Sequence, residues 1–174
     1  MSTLPFRTIL VPTDFSSCAR RAVDYAADLA RESNARVVLH HATELPLGVQ
    51  GNERIHPEGA HEAVRVDEYA RAAARAHLED EAERIGGDVR VVTRAELGST
   101  VQSILQAAEE LGADLIVMGT HGRTGLRRGL MGSVAERVVR SAPCPVLTLR
   151  LDETCADEDA LSSEERQLAA ESAG

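Results

Sequence analysis

Five short runs of aliphatic and β-branched residues, separated by stretches with helical spacing, constrain this chain more than any other feature. The runs fall at residues 7–12 (RTILVP), 36–41 (RVVLHH), 88–95 (DVRVVTRA), 114–118 (DLIVM) and 146–149 (VLTL). Between the first two, Ser16 or Ser17 can cap a helix over about residues 18–33, with Ala22, Val23, Ala26, Leu29 and Ala30 on one face. Residues 60–85 are rich in Ala, Arg and Glu and predict a long helix, a solvated outer layer packed on the sheet by small residues and stopped by Gly86-Gly87. Gly98-Ser99-Thr100 opens a third helix, with Val101, Ile104, Leu105, Ala108 and Leu111 on one face and Gly112 at its end. Ser133 opens a fourth, with Val134, Val138 and Val139, broken by Pro143-Cys144-Pro145. Strands that alternate with helices pair in parallel, and their crossovers cover both faces of one sheet. In such a sheet, ligands sit beyond the carboxyl ends of the strands, where the strand order reverses. The turn at residues 12–16 and the loop at 119–133 are then the candidate site, provided that the first and fourth strands are neighbours. Residues 42–59 carry Pro46, Gly48, Gly51, Pro57 and Gly59, and predict a long loop that is mobile or functional.

Charge and composition narrow the classes of function. All 19 basic residues are Arg, so a Walker-type phosphate Lys, a Schiff-base Lys and a Lys general base are excluded. The net charge of −9 and an aromatic share of 2% argue against a nucleic-acid partner. No apolar run approaches the ~20 residues that cross a bilayer, so no membrane partner is expected. The opening residues 1–5 show no basic and apolar pattern of a secretory signal. Cys18, Cys144 and Cys155 have no C-x-x-C spacing, which predicts neither zinc nor a disulfide framework, and a reducing, cytoplasmic setting. Cys144 is expected to be a small buried hydrophobe and Cys155 the exposed thiol. Residues 152–174 hold eight acids and one base, Arg166. They read as a disordered or marginally helical acidic tail on a domain spanning residues 1–151, with docking of a partner as its functional alternative.

The segment between the fourth strand and the last helix carries the chemistry. Residues 119–133 read GTHGRTGLRRGLMGS, with five glycines. Glycines let a ligand approach the backbone, and successive amides form a concave anion site. The Gly132-Ser133 step enters a helix whose first N–H groups are unsatisfied and whose dipole end is positive. A phosphate fits there, with a further bond from the Ser133 hydroxyl and countercharge from Arg123, Arg127 and Arg128. The loop is neither a P-loop nor a dinucleotide fingerprint. Its His121 is a weak candidate for a general base, since nothing in the sequence orients it. His40, His41, His56 and His61 lack a recurrent ligand spacing, so a transition-metal site is not expected.

Leu115 to Ser133 resembles the signature of the universal stress protein family in its nucleotide-binding branch, G-x2-G-x9-G-[ST], through Gly119, Gly122, Gly132 and Ser133. ILVPTDFS at residues 9–16, VVLHH at 37–41 and SAPCPVLTL at 141–149 resemble three further segments of that family. The resemblance covers about residues 5–150. It implies an open parallel five-stranded sheet in the order 3-2-1-4-5, counted along the chain, with helices on both faces. It implies ATP in the cleft at the reversal. Pro12, Thr13 and Asp14 would line the adenosine side, with Asp14 near the ribose or a phosphate-bound Mg²⁺ or Mn²⁺. The backbone around His41 would meet the adenine edge, and Met118 and Gly119 the ribose. Gly122, Arg123, Gly132, Ser133 and Val134 would hold the phosphates. The family's usual residue after the Leu-His pair is Val, whereas this chain has His41. A His41 side chain that points inward would reshape the pocket and make it sensitive to pH. Asp14 has a plainer reading, as a cap or turn residue ahead of the first helix. The resemblance also implies a homodimer paired through the last strand, residues 145–149. The function implied is an ATP-binding stress-response regulator with little turnover, the alternatives being a slow Mg-dependent ATPase and a nucleotide-switched module that binds a protein partner.

Overall fold

The structure is a computed structural model that describes residues 6–57, 59, 62–120 and 131–150. Its elements run β1 (Thr8–Pro12), α1 (Ser17–Ser33), β2 (Arg36–Thr43), β3 (Arg54–Ile55), β4 (Val64–Arg65), α2 (Val66–Ile85), β5 (Arg90–Leu97), α3 (Thr100–Leu111), β6 (Leu115–Gly119), α4 (Ser133–Ser141) and β7 (Val146–Leu149). Five strands form one parallel sheet in the order β5-β2-β1-β6-β7. With the small β3–β4 pair set aside, this is the 3-2-1-4-5 order that the family resemblance implies. The chain reverses direction of growth between β1 and β6, which pair through Ile9 with Leu115 and Leu10 with Ile116.

Strand residues point alternately to the two faces, and each face has its own core. Ile9, Val11, Val37, Leu39, Leu115 and Val117 pack under α1 and α2. Leu10, Val38, Ile116 and Met118 pack under α3 and α4 with Val101, Ile104, Ala107, Ala108, Ala135 and Val138. Ile9, Leu10 and Val11 are all fully buried, which explains why the first strand reads as an unbroken apolar run. Helix α1 offers mostly Ala to the sheet, and these small side chains let it lie close. Helix α2 packs through Leu78 and Ile85 as well as Ala74, so its inner face is less Ala-dominated than the composition of the segment suggests.

The sequence boundaries shift most at the long loop. Ala42 and Thr43 extend β2, and Arg54–Ile55 pairs antiparallel with Val64–Arg65. The helix expected from residue 60 therefore begins at Val66. Arg65 stays extended, with φ −72° and ψ 142°. The first free amides of α2 are taken by the loop: Val66 N–H donates to the Glu53 carbonyl and Asp67 N–H to that of Gly51. A tie to a distant backbone thus sets the start of this helix, where helical propensity alone extends it further. The expected acidic tail, residues 152–174, and its Cys155 lie outside the described residues, as does His61.

Candidate functional site

Four helices begin at the carboxyl end of the sheet; beside α2, held by the loop backbone, the first turns of α1, α3 and α4 are satisfied differently. At α1, Ser16 Oγ accepts from Ala19 N–H at 3.1 Å. Asp14 Oδ1 in turn accepts from the Ser16 hydroxyl at 2.6 Å and the Ser16 amide at 3.2 Å. Ser16 is therefore the cap, and Asp14 braces it. Between them, Phe15 sits at φ 65°, a left-handed conformation that costs a non-glycine residue on the order of 1 kcal/mol. Its amide donates to Thr13 Oγ1 at 3.1 Å, and its ring packs against His41 and His77, with centroids 4.4 and 5.2 Å away. At α3, Ser99 makes no side-chain cap; instead Glu44 Oε1, from beyond β2, accepts from Thr100 N–H at 2.7 Å. That hydrogen bond, with the Arg137 charge nearby, holds the Glu44 carboxyl below its ordinary range. At α4 the capping position is Gly132, which has no side chain. Among the described residues no side chain accepts from the first amides of this helix.

A cavity of about 290 Å³ opens between these helix starts and the strand ends. Pro12, Thr13 and Asp14 follow β1; His40, His41 and Ala42 end β2; Met118, Gly119 and Thr120 end β6; Gly132, Ser133 and Val134 start α4. Thr100 and Ile104 of α3 close one side. The turns are stitched to the sheet. Thr13 N–H donates to the His40 carbonyl at 2.9 Å, and Gly132 N–H donates to the Thr120 carbonyl at 2.8 Å. The second bond pins together the two ends of the glycine loop. Nine residues singled out in the sequence thus share one cavity: Pro12, Thr13, Asp14, His41, Met118, Gly119, Gly132, Ser133 and Val134. Gly122, Arg123, His121, Arg127 and Arg128 lie outside the described residues.

The two adjacent histidines separate by strand periodicity. His41 shares the face of Val37 and Leu39: its ring packs on Phe15, and its Nδ1–H donates to the Thr13 carbonyl at 2.7 Å. His40 shares the face of Val38, toward α3 and α4, and is 1% exposed. Its Nε2 lies 2.9 Å from Ser103 Oγ and 3.5 Å from Glu96 Oε2. Burial pushes the His40 imidazole toward its neutral form, against the pull of Glu96. Burial also raises the Glu96 carboxyl, but hydrogen bonds from Ser103 and Arg94 outweigh it and keep the carboxyl below its usual range. The sequence reading passed over His40 in favour of its neighbour. A period of two from Leu10 and Val38, which face α3, was the signal that could have found it.

No group of three His, Cys, Asp or Glu side chains suited to a metal occurs among the described residues. Burial raises the Cys144 thiol, which leaves it a poor nucleophile at neutral pH.

Comparisons with known proteins agree with this architecture. The sequence model of the Universal stress protein family matches residues 5–150. Universal stress protein MJ0531 of Methanocaldococcus jannaschii is 35% identical over 147 residues, which cover 83% of this chain and 82% of that protein. The solved structure of protein MJ0577, from the same organism, superposes with a TM-score of 0.64 at 23% identity, covering 86% of this chain and 99% of that one. A universal stress protein crystallised in complex with cAMP superposes with a TM-score of 0.57 at 29% identity, covering 83% and 97%.

Proposed function

We propose, for a chain that belongs to the universal stress protein family, that the cavity at the strand reversal binds ATP and that the protein is a stress-response regulator which holds the nucleotide with little turnover. The observation that carries this reading is the start of α4, whose first amides no described side chain caps. Its first amides open beside Gly119 and Ser133 into a cavity, whereas the starts of α1 and α3 are already occupied by Ser16 and Glu44. Unpaired amides at the positive end of a helix favour an anion, and a phosphate satisfies several at once. The cAMP complex of a 29% identical relative supports an adenine nucleotide as the source of that phosphate.

In this reading Pro12, Thr13 and the backbone at His41 border the base, and Met118 and Gly119 the ribose. Gly132, Ser133 and Val134 hold the phosphates, with Gly122 and Arg123 of the glycine loop. Asp14 suits a hard divalent ion, since a carboxylate oxygen together with phosphate oxygens and water is the donor set that Mg²⁺ takes. Such an ion would neutralise phosphate charge beside Asp14. A holding role fits the bracing of Asp14, which is engaged by Ser16 in shaping the turn. Dimerisation through β7 fits the character of that edge: Val146–Leu149 contains no charged residue, and all four positions are half-buried in the single chain.

Calorimetric titration of nucleotide-free protein with Mg-ATP tests the reading directly. Saturable heat at one site per chain is expected. No heat, together with no purine absorbance released on denaturing fresh protein, rejects it. Phosphate release above background that disappears in Asp14→Ala would favour the slow ATPase instead; release that survives this change belongs to a contaminant.

A further inference from the structure

The turn that leaves β1 is held by two consecutive residues of β2. Pro12 lies beside His40 at the end of the β1–β2 ladder, and Thr13 N–H continues it by donating to the His40 carbonyl at 2.9 Å. The Thr13 carbonyl meets the next side chain, with His41 Nδ1 at 2.7 Å. A carbonyl oxygen can only accept, so Nδ1 carries a hydrogen. The Thr13 hydroxyl accepts from the Phe15 amide at 3.1 Å. Thr13 is buried, and both of its backbone groups have partners on β2.

Phe15, two residues on, needs such support. Its φ of 65° is a conformation that a bulky residue keeps only where its neighbours hold it. Its ring packs against two imidazoles, that of His41 and that of His77 on α2, with centroids 4.4 and 5.2 Å away. The His41 side chain therefore touches both flanks of Asp14: the carbonyl before it and the ring after it. Thr13, Asp14 and His41 all line the cavity, and Asp14 also braces the cap of α1. From this geometry we infer that His41 is a positioning residue: its imidazole clamps the Thr13–Phe15 turn in the left-handed shape that sets Asp14 at the cavity wall. It acts through the turn, by its hydrogen bond to the Thr13 carbonyl and its packing on Phe15, and needs no contact with a ligand. Valine, the family's usual residue after the Leu-His pair, offers neither a donor nor a ring, so the clamp is a feature of this chain. The inference rests on the proposed nucleotide reading and adds to it the side chain that holds one wall of the site in its binding shape.

Calorimetry with Mg-ATP on the full chain and two variants isolates the clamp. His41→Phe keeps a ring against Phe15 and removes the donor, whereas His41→Asn keeps an N–H donor near the place of Nδ1. Affinity should fall about fivefold in His41→Phe, the factor that about 1 kcal/mol of unheld strain represents, and return to within about twofold of the natural value in His41→Asn. Asn adopts positive φ more easily than Phe. In a Phe15→Asn background, His41→Phe should therefore change affinity by less than about twofold. Losses that simply multiply would mean that His41 supports the fold without holding the turn. Natural affinity in His41→Phe, or no recovery in His41→Asn, overturns the role of His41 and leaves the nucleotide reading standing. A natural chain that binds no Mg-ATP overturns both. Proton NMR of the nucleotide-free chain reads the turn without a ligand. The strong amide–Hα cross-peak of a positive φ should be present at Phe15 and weaken in His41→Phe; an undiminished cross-peak contradicts the inference.

Discussion

The two ends of the sheet are built from the same strands and treated in opposite ways. At the amino end, backbone groups find partners within the chain. Asp114 Oδ2 accepts from the amides of Arg7 and Thr8 at 2.8 and 2.9 Å. Arg36 donates to Thr8 Oγ1 and to the Leu111 carbonyl, at 2.9 and 3.2 Å. Helices α1 and α3 both end here in left-handed caps, Asn34 and Gly112, whose amides return to the last carbonyls. At the carboxyl end, a non-glycine residue is held at positive φ, and among the described residues no side chain caps the start of α4. One end spends its polar groups on stability, and in the proposed reading the other leaves them for a ligand. A parallel sheet makes this division natural, because all helix starts gather at one end and all helix finishes at the other.

Substitutions at the two ends should therefore separate binding from stability. The largest effect is expected from Ser133→Asp. A carboxylate at the start of α4 favours the helix but repels a phosphate, so ATP affinity should drop by at least about tenfold while the melting temperature holds or rises. Parallel calorimetry and thermal unfolding check this; an unchanged affinity would place the anion elsewhere. Next in size, Asp114→Ala should destabilise the chain by about 2 kcal/mol, since two amides lose a charged acceptor, and should leave ATP affinity unchanged. Urea unfolding measures it, and a large loss of affinity would mean that the two ends are coupled. A smaller cost, about 1 kcal/mol, is expected of Gly112→Ala. A side chain there meets no atom within 4 Å, but φ is +58°, so the penalty is purely conformational.

The smallest effect is on pH dependence, and its sign follows from His40. Burial lowers its folded pKa, so below about 6.5 the unfolded chain takes up a proton that the folded chain resists. That share of stability is complete above about 6.5 and is lost as pH falls through the folded value. Glu96, held below its ordinary range, loses its share in the same direction but from a more acidic starting point. The groups that act on His40 are Glu96 and Arg94 on β5, Ser103 on α3 and its neighbour His41. Urea midpoints at pH 7.5 and 5.5 should therefore fall less in His40→Gln than in the natural chain. Equal falls would show that the ring titrates as it does in water.

Much of this was legible in the chain, for local reasons. The strands and helices follow from apolar spacing, and the glycine-rich segment between β6 and α4 is visible in composition. The resemblance to the universal stress proteins brought the strand order, and with it the neighbourhood of Pro12 and Gly119. Three features were not legible. The start of α2 depends on carbonyls of Gly51 and Glu53, donated to from across a turn. The cap of α3 is Glu44, 56 residues before Thr100. Of two adjacent histidines, the one that meets Ser103 could be chosen only by knowing which face of β2 lies under α3.

By itself, the order of residues determined the alternation of elements, the depth of the central strands and the composition of a lysine-free, glycine-rich loop, because these depend on spacing along a few turns of chain. Tertiary structure decided which helix start no described side chain caps, and which of two adjacent imidazoles joins Ser103 and which joins Thr13. Those depend on contacts between segments far apart in the chain, where a hydrogen goes to whichever acceptor the packing brings within reach.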